Sequence, residues 1–254
     1  LRDGIGERTR LVWVEAAGSV TLEFPDLRGL VAAARERGVR VALDNTWGAG
    51  IAFRPFDLGD GLGVDVSIHA LTKYPSGGGD VLMGAVTSVD RELHERLMMT
   101  HCRFGLGVGA NDVELVLRSL PSIHLRYHAQ DRAAREIAAW AAARPEILRV
   151  LHPASPGSPG HEHWAALCTA AAGLVSVVFD ERHDGPAVDR FVDALKLFRI
   201  GYSWGGPISL AVPYHVPSMR SFDPPAPGRL VRLCIGLEQP ADLIADLEQA
   251  LLKL

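Results

Sequence analysis

Residues 39–88 read VRVALDNTWGAGIAFRPFDLGDGLGVDVSIHALTKYPSGGGDVLMGAVTS. Three apolar, β-branched runs stand out in this stretch, at 39–44, 64–70 and 81–88. Each is short and bounded by Gly, Pro, Asn or Asp, the pattern of buried strands. Working upstream, residues 11–15 (LVWVE) give one more strand, and PDLRGLVAAARERG carries apolar residues at helical spacing with Gly38 as its C-terminal cap. Strand, helix, strand in that order predicts a right-handed βαβ unit and a mainly parallel sheet, an α/β fold. Such sheets take their ligands at the carboxyl ends of the strands. Asp44 stands at one such end, and Lys73 follows shortly after another.

Working downstream, residues 111–143 are helical in two pieces that break near Pro121, and Pro145 ends the second. Residues 152–164 (HPASPGSPGHEHW) are rich in Pro, Gly and Ser and read as a structured loop. Strands are expected at 172–180 and 230–236, and helices at 187–195 and 241–254. This later part reads as a smaller α/β domain, with the boundary between residues 118 and 145.

Composition narrows the function classes. The net charge is -4 and the basic residues are dispersed, so no nucleic-acid partner is expected. No apolar run approaches the roughly 20 residues that span a bilayer, and no secretory pattern is present, so no membrane partner is expected either. Cys102, Cys168 and Cys234 are widely spaced and form no CxxC pair. No metal and no disulfide framework are therefore expected, and a reducing cytoplasm fits best. The sequence opens at Leu1 rather than Met and reaches a buried-type strand almost at once, which reads as entry into the middle of a domain.

The chemistry concentrates around Asp44 and Lys73. DNTW puts a carboxylate at a strand end, and SIHALTKYPSGGGD puts a lysine on a loop between strands, followed by Gly77, Gly78 and Gly79. A glycine-rich loop lets the backbone approach a ligand closely, and the Thr72 hydroxyl beside the lysine is placed to meet a phosphate. Taken singly, each feature has a plain structural reading: a helix cap, a solvated lysine, a flexible loop. Together, on neighbouring βα segments, they favour a functional reading, of which a pyridoxal-phosphate (PLP) enzyme is one, though the pattern by itself does not name that cofactor. Such an enzyme needs a lysine amine for the cofactor aldehyde and an acid for its pyridine nitrogen.

The segments VALDNTWGAGIAFRPFDLG and DVSIHALTKYPSGGGDVLMG resemble the cofactor segment of the Cys/Met-metabolism PLP-dependent enzymes. The resemblance implies fold type I, the aspartate-aminotransferase-like fold. Residues 1–118 would be the C-terminal part of the PLP-binding large domain, and residues 119–254 the C-terminal small domain. It implies PLP as cofactor, Lys73 as the lysine that binds it covalently, Asp44 as the partner of the pyridine nitrogen and Thr72 as a phosphate contact. LVWVEAAGSVTLEFPDL extends the match, with Ser19 on the cofactor side where many members carry asparagine. LVRLCIGLEQPADLIADL resembles the family's C-terminal signature and implies that Arg232 holds the substrate α-carboxylate, with Ser203 and Trp204 bordering it and Tyr202 lining the pocket. LHPASPGSPGHEHW and GYSWGGPISL resemble the cystathionine β-lyase branch more than the γ-lyase or synthase branches. That implies β-cleavage of L-cystathionine, a small amino-acid substrate, to homocysteine, pyruvate and ammonia.

Two departures qualify the match. Many members carry serine three positions before the lysine, where this sequence has Ala70. The segments that in the family supply the phosphate cup, a tyrosine stacked on the ring and a Tyr/Arg pair reaching the neighbouring subunit have no counterpart in these 254 residues. The resemblance further implies a homo-oligomer, a dimer of dimers, for the full-length protein. It leaves open another reaction of the family, or a chain inactive on its own.

Overall fold

A computed structural model of the chain describes residues 2–219 and 229–254. The first sheet is built from β1 (Leu11–Glu15), β2 (Arg40–Asp44), β3 (Val66–Ala70) and β4 (Gly84–Thr87), in that order. β1 pairs with β2, and β2 with β3, in parallel; β4 closes the edge antiparallel to β3. The sheet is thus mainly parallel, as the βαβ pattern predicts. Helix α1 (Leu27–Glu36) links β1 to β2. The Asp26 carboxylate caps its first turn by accepting from the Gly29 N–H at 2.9 Å. Past its end Gly38 adopts φ +64°, the left-handed turn that lets the chain re-enter the sheet.

Alternation decides which face of this sheet is covered. Along β1, Val12 and Val14 are buried, while Leu11 and Trp13 are 49% and 57% exposed. By register, Leu11, Trp13 and Glu15 share a face with Asp44 and Ile68. The face that carries Asp44 is therefore the more open one along β1, although Ala42 and Val66 on that face are buried.

Helices α2 (Arg91–Phe104), α3 (Ala110–Ser119) and α4 (Ile123–Ala142) follow. α3 and α4 are the two predicted pieces, parted by a 3-10 turn at Leu120–Ser122. The sequence reading gave no element at α2, although Asp90 caps its start and Gly105 ends it in the left-handed conformation. α2 buries no residue, so no apolar stripe announces it.

A second sheet has the order β5-β6-β9-β8-β7: β5 (Ile147–Leu151), β6 (Leu174–Phe179), β9 (Arg229–Cys234), β8 (Leu210–His215) and β7 (Arg199–Ile200). Its pairings are antiparallel except β7 with β8. It packs with α4, α6 (Gly185–Asp193) and α7 (Pro240–Leu251) around a core that includes Ile137, Val175, Phe191, Val231 and Leu247. The stretch expected to be loop throughout residues 152–164 instead turns helical at its end, as α5 (His161–Leu167). Gly160, at φ +76°, makes the turn that lets α5 start.

α4 ties the two halves together. Tyr127 is fully buried in the first core and donates its hydroxyl to the Trp47 carbonyl at 3.1 Å, next to the Asp44 strand end. One residue earlier, Arg126 donates to the Tyr74 carbonyl at 2.7 Å, and to the Ser119 carbonyl and hydroxyl. Tyr74, also fully buried, accepts from the Gly173 N–H at the entrance to β6, 3.0 Å away. One helix therefore fixes both loops that carry the chemistry.

Candidate active site

The Lys73 ammonium donates to the Ser203 hydroxyl at 2.9 Å and lies over the Trp204 ring, 4.4 Å from its centroid. Arg232 approaches the same ring at 5.3 Å and the Tyr214 ring at 5.5 Å. Lys73 enters from the loop after β3, Ser203 and Trp204 from the loop after β7, and Arg232 from β9. Of the residues singled out in the sequence, the fold thus gathers Lys73, Ser203, Trp204 and Arg232 into one cluster. Ser19 and Tyr202 join it through their carbonyls, which accept from the Arg232 guanidinium at 2.8 and 2.5 Å. The Tyr202 side chain itself is 71% exposed and meets Tyr214 edge to face.

Asp44 and Thr72 sit differently. Asp44, at the carboxyl end of β2, accepts from the Thr46 N–H at 3.0 Å and keeps part of its carboxylate open on the partly uncovered face of the sheet. The Thr72 hydroxyl accepts from the Met83 N–H at 3.3 Å, which anchors the glycine-rich loop to the approach of β4.

Electrostatics set this cluster apart. Burial, helped by the nearby Arg232 charge, lowers the Lys73 pKa below the usual lysine range. That moves the amine toward the neutral form that can act as nucleophile or base. On the open face, burial and then the Asp44 charge raise the Glu15 carboxyl above the usual range; on the opposite face, burial lowers His69 against the opposing pull of Asp44.

Within this cluster two buried donors, Arg232 Nε and Trp204 Nε1, have no hydrogen-bond partner among the described residues. Unpaired buried donors cost free energy, so an acceptor is expected beside them. A poised primary amine beside spare guanidinium donors suits the aldehyde of PLP and the carboxylate of an amino acid, while Asp44 stands apart from them at the end of β2. A cleft of about 190 Å³ opens here between Gly78 and Gly79 on one side and Ser203, Trp204 and Gly206 on the other. A larger cleft of about 830 Å³ lies at the opposite ends of β1 and β2, lined by Thr9, Arg10, Arg37 and Arg40, and holds none of the residues singled out above.

Tyr214 and Gly205 were not read from the sequence as part of this site. Tyr214 lies on β8, and its register places it on the same face as Arg232. Alternation along that strand was the signal available. Gly205 lies against the Lys73 backbone. Its φ of +78° gives no sign in a glycine-rich loop.

Comparison with known proteins shows the family and the fold. A profile of the family described as "Cys/Met metabolism PLP-dependent enzyme" matches residues 1–252. A cystathionine beta-lyase of Bordetella avium is 39% identical, over 96% of this chain and 60% of its own length. An L-alanine/L-glutamate racemase of Wolbachia pipientis is 35% identical, over 100% of this chain and 62% of its own. A cystathionine gamma synthase of Xanthomonas oryzae, solved with aminoacrylate and cysteine, superposes with a TM-score of 0.86 at 30% identity, covering 96% of this chain and 63% of that one. The chain therefore spans about 60% of the length of the curated relatives it matches.

Proposed function

The chain belongs to the Cys/Met metabolism PLP-dependent enzyme family, and from that premise we propose that it carries the lysine and the substrate-carboxylate site of a carbon–sulfur β-lyase acting on L-cystathionine. The observation that carries this reading is the clustering of Lys73, Ser203, Trp204 and Arg232. The GYSWGG segment, which supplies Ser203 and Trp204, favours the β-lyase branch. Relatives with the same fold include a γ-synthase and a racemase. γ-Synthesis, γ-elimination, methionine γ-lysis, sulfhydrylation and racemisation are the competing reactions.

When bound, PLP supplies an electron sink conjugated to the substrate α-carbon. The chain's own residues divide the remaining work. Lys73 Nζ would hold the cofactor aldehyde and would serve as the general base for the substrate α-proton. Its depressed pKa suits both tasks. Asp44 keeps the pyridine nitrogen protonated. Arg232 presents its unpartnered Nε and remaining N–H groups to the α-carboxylate, a planar fork meeting a planar acceptor. Ser203 fixes where Lys73 Nζ points, and Trp204 keeps water from one side of it. Thr72 and Ser19 complete the cofactor side. Cleavage of the β carbon–sulfur bond, with the thiolate taking a proton, would release homocysteine, and one water would hydrolyse the remaining three-carbon imine to pyruvate and ammonia. The division at residue 118, a dimer-of-dimers assembly and a cytoplasmic setting complete the proposal. Among the described residues no helix is long and apolar enough to cross a membrane, and all three cysteines are free.

A second reading is favoured by one observation: the sheet face carrying Asp44 is partly uncovered, with Trp13 and Leu11 about half exposed on it. In that reading these 254 residues bind PLP weakly by themselves. Titration with PLP separates the two. The first reading expects a bound-cofactor absorbance band that Lys73→Ala removes, and pyruvate rather than 2-oxobutyrate from cystathionine. A band that survives Lys73→Ala sinks the lysine assignment, and tight stoichiometric PLP binding sinks the second reading.

A further inference from the structure

His124 and His128 lie four residues apart on α4, so they share one helix face. Their Nε2 atoms converge to 3.2 Å, with ring centroids 4.3 Å apart and ring planes inclined by 64°. Neither ring is needed by the site around Lys73. We infer that this pair is a binding site for a borderline divalent cation of the zinc class, held by the two Nε2 atoms, with water completing the shell.

The spacing is the first argument. Zinc–imidazole bonds are about 2.0–2.1 Å. Two such bonds at the tetrahedral angle put the nitrogens about 3.3–3.4 Å apart, and two at a right angle about 2.9 Å. The observed 3.2 Å lies between these, so an ion can enter without moving either ring far. Imidazole suits zinc, nickel and copper, whereas magnesium and calcium prefer oxygen.

Preorganisation is the second. The His128 ring packs edge-on against Tyr127 at 5.9 Å, and Tyr127 is fully buried with its hydroxyl fixed to the Trp47 carbonyl. Arg126, between the two histidines in sequence, is held by Tyr74, Ser119 and Ser122. The helix turns that carry both rings are therefore rigid, and His124 is exposed to solvent, so an ion has access. A bound ion would bridge α4 across Arg126, whose guanidinium grips the carbonyl next to Lys73. The inference does not depend on which reaction the Lys73 site performs.

Calorimetric titration of the metal-free chain with Zn²⁺ tests it, in a Cys102→Ser background that removes the exposed thiol beside His101 as a competing ligand. One ion per chain is expected, with a rise in thermal midpoint on saturation. His124→Gln and His128→Gln should each weaken binding at least tenfold and abolish the thermal shift, while His101→Gln leaves both unchanged. Both histidines are on the surface side of α4, so circular dichroism will confirm that the variants fold. Absence of saturable binding at millimolar zinc, or a loss smaller than tenfold in both variants, overturns the site.

Discussion

Gly205 lies against the peptide that joins Lys73 to Tyr74. Its φ is +78°, and a Cβ built on it would stand 2.7 Å from Tyr74 N and 3.0 Å from the Lys73 carbonyl carbon. Those are backbone atoms, and they cannot rotate aside. Gly205→Ala combines a left-handed non-glycine conformation, costing about 1–2 kcal/mol, with displacement of the Lys73 loop. We expect a total loss of about 2–4 kcal/mol in urea unfolding and a weakened PLP band, because the loop that moves carries the amine. Gly206→Ala is the control, since its Cβ would meet nothing closer than 4.0 Å. Equal effects at the two positions would show that the close approach at Gly205 has no special role.

Much of this arrangement was legible in the sequence, and the limits have physical causes. The first three strands were readable because short β-branched runs between turn residues have few other solutions, and the strand read at 11–15 is found at Leu11–Glu15. The site was legible in its residue types but not in its contacts. Lys73 and Ser203 are 130 positions apart, and only tertiary packing joins them. β8 escaped because Pro213 interrupts LAVPYH. The fold admits that proline because β7 pairs only with Leu210 and Ala211, which leaves β8 an edge at Pro213. Missing β8 meant missing Tyr214 beside Arg232. α2 escaped for the opposite reason: it is well capped, but it buries nothing that a periodicity could report.

Arg232→Lys separates charge from shape. The guanidinium reaches the Ser19 and Tyr202 carbonyls together and lies near two aromatic rings. An ammonium keeps the charge but cannot span these partners. In PLP-loaded protein we expect the cofactor band to persist while the affinity for amino-acid substrate falls at least tenfold, read from the spectral change on titration. Unfolding should cost about 1–3 kcal/mol less than in the parent, from carbonyls left without donors. Undiminished substrate affinity would remove Arg232 from the carboxylate site.

His152 gives the chain an acid-sensitive point far from the catalytic question. It is 1% exposed at the end of β5, and neither ring nitrogen has a partner among the described residues. Burial, reinforced by the Arg135 charge, pushes its pKa down to about 3. In the unfolded chain the same ring titrates near 6.5. Between those values the unfolded state binds a proton that the folded state refuses, so stability rises with pH across this window. The contribution is complete above about pH 6.5 and is lost progressively as pH falls toward 3, on the order of 5 kcal/mol at most. His152→Leu removes the titrating group while keeping an apolar side chain in the core. Urea unfolding between pH 4 and 7 should therefore show a flatter pH dependence for the variant than for the parent, with the two curves diverging most at the acid end. Parallel curves would mean that the folded protein accommodates the protonated ring, and that its acid sensitivity comes from other groups.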